Sequence, residues 1–122
     1  MHAKKRDPSP HLPLTSAEFH FLLALADGDK HAYAIMKDVA RLTDGAVRLS
    51  AGTLYGLVRR FVSEGMIAEK TERPIAALDD ERRRYYRLTD FGREVAIAEA
   101  ERLENLLALA RAKRLLARAR PA

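Results

Sequence analysis

Gly52, Gly56 and Arg59 follow one another at spacings of four and three residues, with Ser63 four further on. On a helix such residues share one face. The opposite face carries Leu54, Leu57, Val58 and Phe61. Glycine weakens an exposed helical position by roughly 1 kcal/mol relative to alanine. Two of them on a wet face therefore have little purely structural reason. A helix pressed into a groove supplies one, because a backbone without Cβ can approach phosphates or base edges closely. Arg59 on that face suits a guanine edge or a phosphate, flanked by Thr53 and Arg60 on one side and Tyr55 on the other. The plainer reading of Arg59 and Arg60 is a solvated face.

A second cationic group, Arg82-Arg83-Arg84, follows the acidic run Asp79-Asp80-Glu81. Such arginines contact phosphates and add salt-dependent affinity, or else close a local ion-pair cluster with those acids. The four histidines, His2, His11, His20 and His31, show neither His-x-x-x-His nor Glu-x-x-His spacing. There are no cysteines, and neither a glycine-rich phosphate loop nor a Gly-x-Ser-x-Gly elbow occurs. Catalysis, a metal site and a cofactor are therefore not expected.

The composition agrees with a polyanion partner without demanding one. The chain has 122 residues and a formal net charge of +5, the size of one domain. Apolar residues make up 48% and charged ones 32%, enough for a modest core with wet helix faces. No apolar run reaches the roughly 18 residues needed to span a bilayer. The basic start, Met1 to Pro8, lacks the apolar stretch of a secretory signal. A cytoplasmic protein with no membrane partner is expected.

These residues need elements to hold them. Residues Met1 to Pro13 contain Lys4-Lys5-Arg6 and three prolines and read as a flexible basic tail, or as an arm laid on DNA. Thr15 and Glu18 have capping-box spacing, and Leu14 and Phe19 that of a hydrophobic staple. The first helix then buries Phe19, Leu22, Leu23 and Ala26 and stops at Asp27-Gly28. A second helix runs from about Lys30 to Leu42 on Ala32, Ile35, Met36 and Val39, with Lys37, Asp38 and Arg41 outward. Asp44-Gly45 ends it, and Val47-Arg48-Leu49 has the alternation of a short strand. Ser50 caps the third helix, which carries the glycine face and ends at Gly65. Two strands, Met66 to Arg73 and Arg82 to Leu88, flank a loop from Pro74 to Glu81. Thr89-Asp90 opens a fourth helix to about Arg118, with an apolar stripe of Phe91, Val95, Ala98, Leu103, Leu106, Ala110 and Leu116.

Helix, helix, strand, helix, strand, strand is the order of a winged helix-turn-helix. The expected class is mainly α with a small β-hairpin: a winged-helix domain over residues 14–88 and a long C-terminal dimerisation helix over 89–122. The third helix is expected to enter the major groove, and the hairpin to reach the backbone or the neighbouring groove. The expected partners are double-stranded DNA and a second copy of the chain. The DNA-contact set is Tyr33, Lys37, Ser50, Gly52, Thr53, Tyr55, Gly56, Arg59, Arg60, Arg83 and Arg84. A domain this small cannot cover the fourth helix end to end. Leu103, Leu106, Leu107 and Ala110 are therefore expected at a dimer interface, with Leu109 and Leu115 widening the stripe. A winged-helix adaptor that binds protein and no DNA has the same element order and remains the alternative here.

From Leu14 to Arg93 the chain resembles the PadR family of transcriptional regulators. Leu49-Ser50-Ala51-Gly52-Thr53-Leu54-Tyr55 is similar to the family's Leu-Ser-Pro-Gly-Thr-Leu-Tyr. Glu64-Gly65-Met66-Ile67 resembles its Glu-Gly-Leu-Ile, and Arg83 to Thr89 with Gly92-Arg93 its wing strand and following helix start. His31-Ala32-Tyr33-Ala34-Ile35 looks like a variant of its Gly-Tyr-Glu-Leu/Ile segment. Ala51 for proline, Ala32 for glycine and Ala34 for glutamate are the departures. The resemblance implies a homodimeric regulator, usually a repressor, on inverted-repeat DNA, with a small hydrophobic effector as a further partner in some relatives. The chain has no tryptophan, so a tryptophan-lined effector slot is excluded.

Overall fold

The computed structural model describes residues 6–71 and 84–117. The expected loop tip and Arg82-Arg83 lie outside the described residues, as do Lys4 and Lys5. The elements are a 3-10 turn at Ser9–His11, α1 (Ser16–Ala24), β1 (Lys30–His31), α2 (Ala32–Leu42), α3 (Ala51–Ser63), β2 (Ile67–Thr71), β3 (Arg84–Leu88) and α4 (Asp90–Ala112). The three strands form an antiparallel sheet in the order β1-β3-β2. The fold is mainly helical with this small sheet and a long C-terminal helix, a winged-helix architecture.

α1 starts as its capping box requires. The Glu18 amide donates to Thr15 Oγ1 at 3.1 Å, and the Thr15 amide donates to Glu18 Oε1 at 2.6 Å. Its buried face is not the expected one. Phe21, Leu22 and Ala24 are buried with Leu25, whereas Leu23 and Ala26 are exposed and Phe19 is half-buried. The segment from Phe19 to Leu25 is apolar nearly all round, so no single stripe is specified. Packing against α2 and α4 on different sides decides its rotation, and Phe21 meets the Phe61 ring edge-on at 5.4 Å.

Two expectations for short segments also change. Lys30 and His31 form β1, opposite Tyr86 and Tyr85 of β3, instead of opening α2. Val47 to Leu49 is not a strand. It is the irregular link into α3, with the Val47 amide donating to Thr43 Oγ1 at 3.0 Å and Leu49 buried. The free edge of β3 is already taken by β1, and α3 follows too closely for another pairing.

α3 is as expected. Ser50 Oγ caps it by accepting from the Thr53 amide at 3.1 Å. Leu54, Leu57, Val58 and Phe61 are its buried residues. Gly65 follows with φ +77°, a left-handed turn that glycine adopts without strain. β2 and β3 then pair in the register Ile67↔Leu88, Glu69↔Tyr86, Thr71↔Arg84. Tyr86 is buried, while Leu88 packs half-buried against the core.

The start of α4 is locked to the α3–β2 turn. The Thr89 hydroxyl donates to Gly65 O at 2.6 Å and accepts from the Gly92 amide at 3.0 Å, and the Thr89 amide donates to Met66 O at 3.0 Å. α4 ends at Ala112, short of the expected Arg118, with Arg114 at φ +63° turning the chain off the axis. Its buried residues are Gly92, Val95 and Glu99, a shorter stripe than expected. Leu106, Leu107, Leu109, Leu115 and Leu116 are all exposed in the single chain.

Residues 6–13, expected as part of a tail, lie across the start of α4. The Arg6 guanidinium sits 3.8 Å from the centre of the Phe91 ring and donates to Glu64 O at 2.7 Å. His11 meets Phe91 edge-on at 5.4 Å, and Leu12 packs against the core. The Leu14 amide donates to the buried carboxylate of Glu99 at 3.3 Å.

Candidate nucleic-acid interface

The outward face of α3 forms one wall of the candidate site. Gly52, Thr53, Tyr55, Arg59 and Ser63 are exposed and Gly56 is half-buried. A Cβ built on Gly52 or Gly56 would meet nothing within 4 Å, so the chain itself gives no steric reason for glycine there. Arg59 has no hydrogen bond or ion pair among the described residues. Ser50 Oγ, besides capping the helix, lies 3.0 Å from Thr53 Oγ1 and donates to it.

Beside this face, between α3, the start of α2 and the sheet, runs a groove of about 1340 Å³. Of the expected contact residues it brings together Tyr33, Lys37, Tyr55, Arg59 and Arg84. Lys37 sits over the Tyr33 ring, 5.2 Å from its centre. The groove also gathers residues absent from the expected set, among them His31, Val62, Glu69, Tyr85 and Tyr86. The His31 ring lies on the Tyr85 ring with centres 3.9 Å apart, and its buried Nδ1 has no partner among the described residues. Glu69 and His31 needed the strand register, which the sequence does not display.

The sheet is held to the helices by ions. Lys30 of β1 reaches Asp38 of α2 at 3.1 Å and Asp27 at 2.6 Å, and its ammonium donates to Ala24 O. Burial alone would lower the Lys30 ammonium, but its hydrogen bonds to Asp27 and Asp38 hold it above the ordinary lysine value. The Lys30 hydrogen bond in turn pulls the Asp38 carboxyl below the usual range. This anchor ties β1 to α2, the helix that carries Tyr33 and Lys37. On the groove wall, the Tyr86 phenol is pushed up by burial and then by the Glu69 carboxylate.

Arg60 does not line the groove. It points toward α1, where its guanidinium binds Glu18, and its Nε lies 3.5 Å from Glu64 Oε1. Arg83 lies outside the described residues. On α4, Leu103 and Ala110 are half-buried, whereas Leu106 and Leu107 are 52% and 46% exposed. Among the described residues no three His, Asp or Glu side chains cluster as metal ligands, and no helix is long and apolar enough to cross a membrane.

Known proteins share this fold. A transcriptional regulator from Clostridium thermocellum superposes with a TM-score of 0.66 at 26% identity, over 77% of this chain and 88% of its own. A PadR family transcription regulator from Clostridium difficile gives 0.65 at 20% identity, over 80% and 96%. Bacillus subtilis PadR, whose structure is of a complex with operator DNA, gives 0.57 at 18% identity, over 90% of this chain and 51% of its own. The last two speak for the fold alone. Comparison with curated proteins yields no match. The sequence profile of the transcriptional regulator PadR-like family matches residues 21–98, most of the chain. The chain therefore belongs to the PadR-like family of transcriptional regulators, which are not enzymes.

Proposed function

We propose that the chain is a repressor that acts in the cytoplasm as a homodimer on inverted-repeat operator DNA. The outer face of α3 enters the major groove, and the wall formed by β2 and β3 meets the flanking backbone. The observation that carries this reading is the pair Gly52 and Gly56, with no atom within 4 Å of where a Cβ would stand, beside an Arg59 that has no partner among the described residues. A face kept clear of side chains at some cost to the helix suits close approach by a second surface. Among the described residues, Lys37, Arg59 and Arg84 line the adjoining groove against one carboxylate, Glu69, which favours a polyanion. The operator complex of the related Bacillus protein supports the same partner.

In this reading Ser50, Thr53, Tyr55 and Arg59 contact bases or phosphates, with Tyr33, Lys37 and Arg84 on the backbone. Arg83 extends that backbone contact, and Arg60, held by Glu18 and Glu64, leaves the contact set. Residues 14–88 form the DNA-reading unit and α4 the dimer contact, through Leu103, Leu106, Leu107 and Ala110. The exposed Leu106, Leu107 and Leu109 support that contact. A small hydrophobic effector, where one acts, releases the DNA.

The test is Gly56→Gln. In a mobility-shift assay on genomic fragments it is expected to abolish the specific complex while leaving the melting temperature unchanged or higher. Arg59→Ala is expected to weaken the same complex by roughly 1–3 kcal/mol. A Gly56→Gln protein that shifts the fragments like the parent means that α3 does not dock through this face.

A further inference from the structure

One charge in the groove has the wrong sign for DNA. Glu69 of β2 and Arg84 of β3 line the same wall. The register sets Glu69 opposite Tyr86 and Thr71 opposite Arg84, so Glu69 and Arg84 are diagonal neighbours on one sheet face. Arg84 Nε lies 3.3 Å from Glu69 Oε1, with the two side chains 53% and 34% exposed. An ion pair this open contributes little to folding. Lys37 and Arg59, which also line the groove, have no carboxylate partner among the described residues.

The pair therefore matters for what it does to Arg84. Binding to unmatched DNA rests almost wholly on cations meeting phosphates, whereas a matched site adds base contacts that seat the protein deeper. A carboxylate beside an arginine opposes the first kind of binding more than the second. It repels a phosphate held at a distance and occupies the guanidinium. It yields the arginine when base contacts press a phosphate into the groove.

We infer that Glu69 is a specificity-determining residue, which keeps Arg84 off the phosphates of unmatched DNA and releases it only in the seated complex. The inference rests on the reading that the α3 face docks on DNA. The wing then acts as a discriminator as well as a clamp, because its contact is conditional on what α3 reads.

The full chain is titrated, by fluorescence anisotropy at several salt concentrations, against two labelled duplexes. One is of mixed sequence and the other carries the site that the parent protein selects from a random pool. Glu69→Ala is expected to tighten binding to the mixed duplex roughly 2- to 5-fold. It should also steepen that duplex's log–log salt slope by about 0.9, one further phosphate contact. The slope on the selected site stays unchanged, since Arg84 already meets a phosphate there. Adding Arg84→Ala removes both gains. Glu69→Gln keeps the side-chain shape, loses the charge and moves in the same direction, which serves if the alanine variant folds poorly.

An unaltered slope on the mixed duplex overturns the inference. So does a gain that persists in the double variant, since bare loss of repulsion then explains it. Arg59→Ala separates this failure from that of the docking reading. If Arg59→Ala binds both duplexes like the parent, the docking reading falls and the inference falls with it. If Arg59→Ala weakens binding while Glu69→Ala behaves like the parent, only the inference falls.

Discussion

Gly92 lies directly beneath the carbonyl of Met66: a Cβ on Gly92 would stand 1.9 Å from Met66 O and 2.9 Å from Leu88 Cδ1. That carbonyl also accepts from the Thr89 amide, so it cannot swing away without breaking the tie between the start of α4 and the α3–β2 turn. Glycine here is demanded from within the chain, unlike Gly52 and Gly56, around which space is open.

The three glycines should therefore respond oppositely to alanine. Gly92→Ala is expected to cost about 3 kcal/mol or more, by forcing backbone apart where α4 meets β2. Gly52→Ala and Gly56→Ala are each expected to stabilise α3 by about 0.5–1 kcal/mol. Urea denaturation followed by circular dichroism measures all three. A stabilised Gly92→Ala protein would contradict the packing at this junction.

Glu99 is 2% exposed, and both its oxygens accept from Arg102, at 2.9 and 2.8 Å. Those hydrogen bonds hold its carboxyl below the usual value of 4.5 against the opposing pull of burial. A lowered folded-state value means the carboxylate stabilises the fold above pH 4.5 and that this contribution disappears as the pH falls through the lowered value. Glu99→Gln is expected to lose about 1–2 kcal/mol at neutral pH. The difference from the parent should shrink in acid. Denaturant midpoints taken down the acid limb check this, and a difference independent of pH would mean that Glu99 is not the titrating group.

Arg59 and Arg60 are neighbours with different tasks. Arg60→Ala removes the tie from α3 to Glu18 of α1 and is expected to lower stability by roughly 0.5–1 kcal/mol. It should leave the salt dependence of DNA binding as it was. Arg59→Ala should do the reverse, with unchanged stability and weaker binding. Thermal melts paired with anisotropy titrations separate them, and an Arg60→Ala protein with a shallower salt slope would return Arg60 to the contact set.

The exposed leucines of α4 call for a cover. Leu106 is 52% and Leu109 62% exposed in the single chain, and fully burying a leucine contributes roughly 1.5–3 kcal/mol. Changing Leu103 and Leu106 together to glutamate is expected to give monomers, or unfolded chain, in sedimentation velocity. A dimer of unchanged stability after both changes would move the interface elsewhere.

Much of this protein can be read from local signals, because those signals act over a few residues. The Thr15, Ser50 and Thr89 caps, the Leu54 to Phe61 face of α3 and the left-handed turn at Gly65 each depend on neighbours within one or two helical turns. The glycine face of α3 is readable for the same reason, being the complement of a well-marked apolar stripe. What tertiary structure decided involves residues far apart in the chain. α1 is apolar nearly all round, so only contact with α2 and α4 chose Phe21 over Leu23 for the core. Lys30 and His31 join the sheet because β3 comes to rest beside them, 56 residues along from Lys30 to its partner Tyr86. Arg60 turns from an outward-facing cation into a structural one because Glu18, 42 residues away, is there to receive it. Glu99 sits at a helical position that reads as surface until the Leu14 amide, 85 residues earlier, closes over it. Glu69 meets Arg84 only once the strand register is set. Periodicity reports which side of an element is apolar, but a charge is assigned its partner by the packing of whole elements.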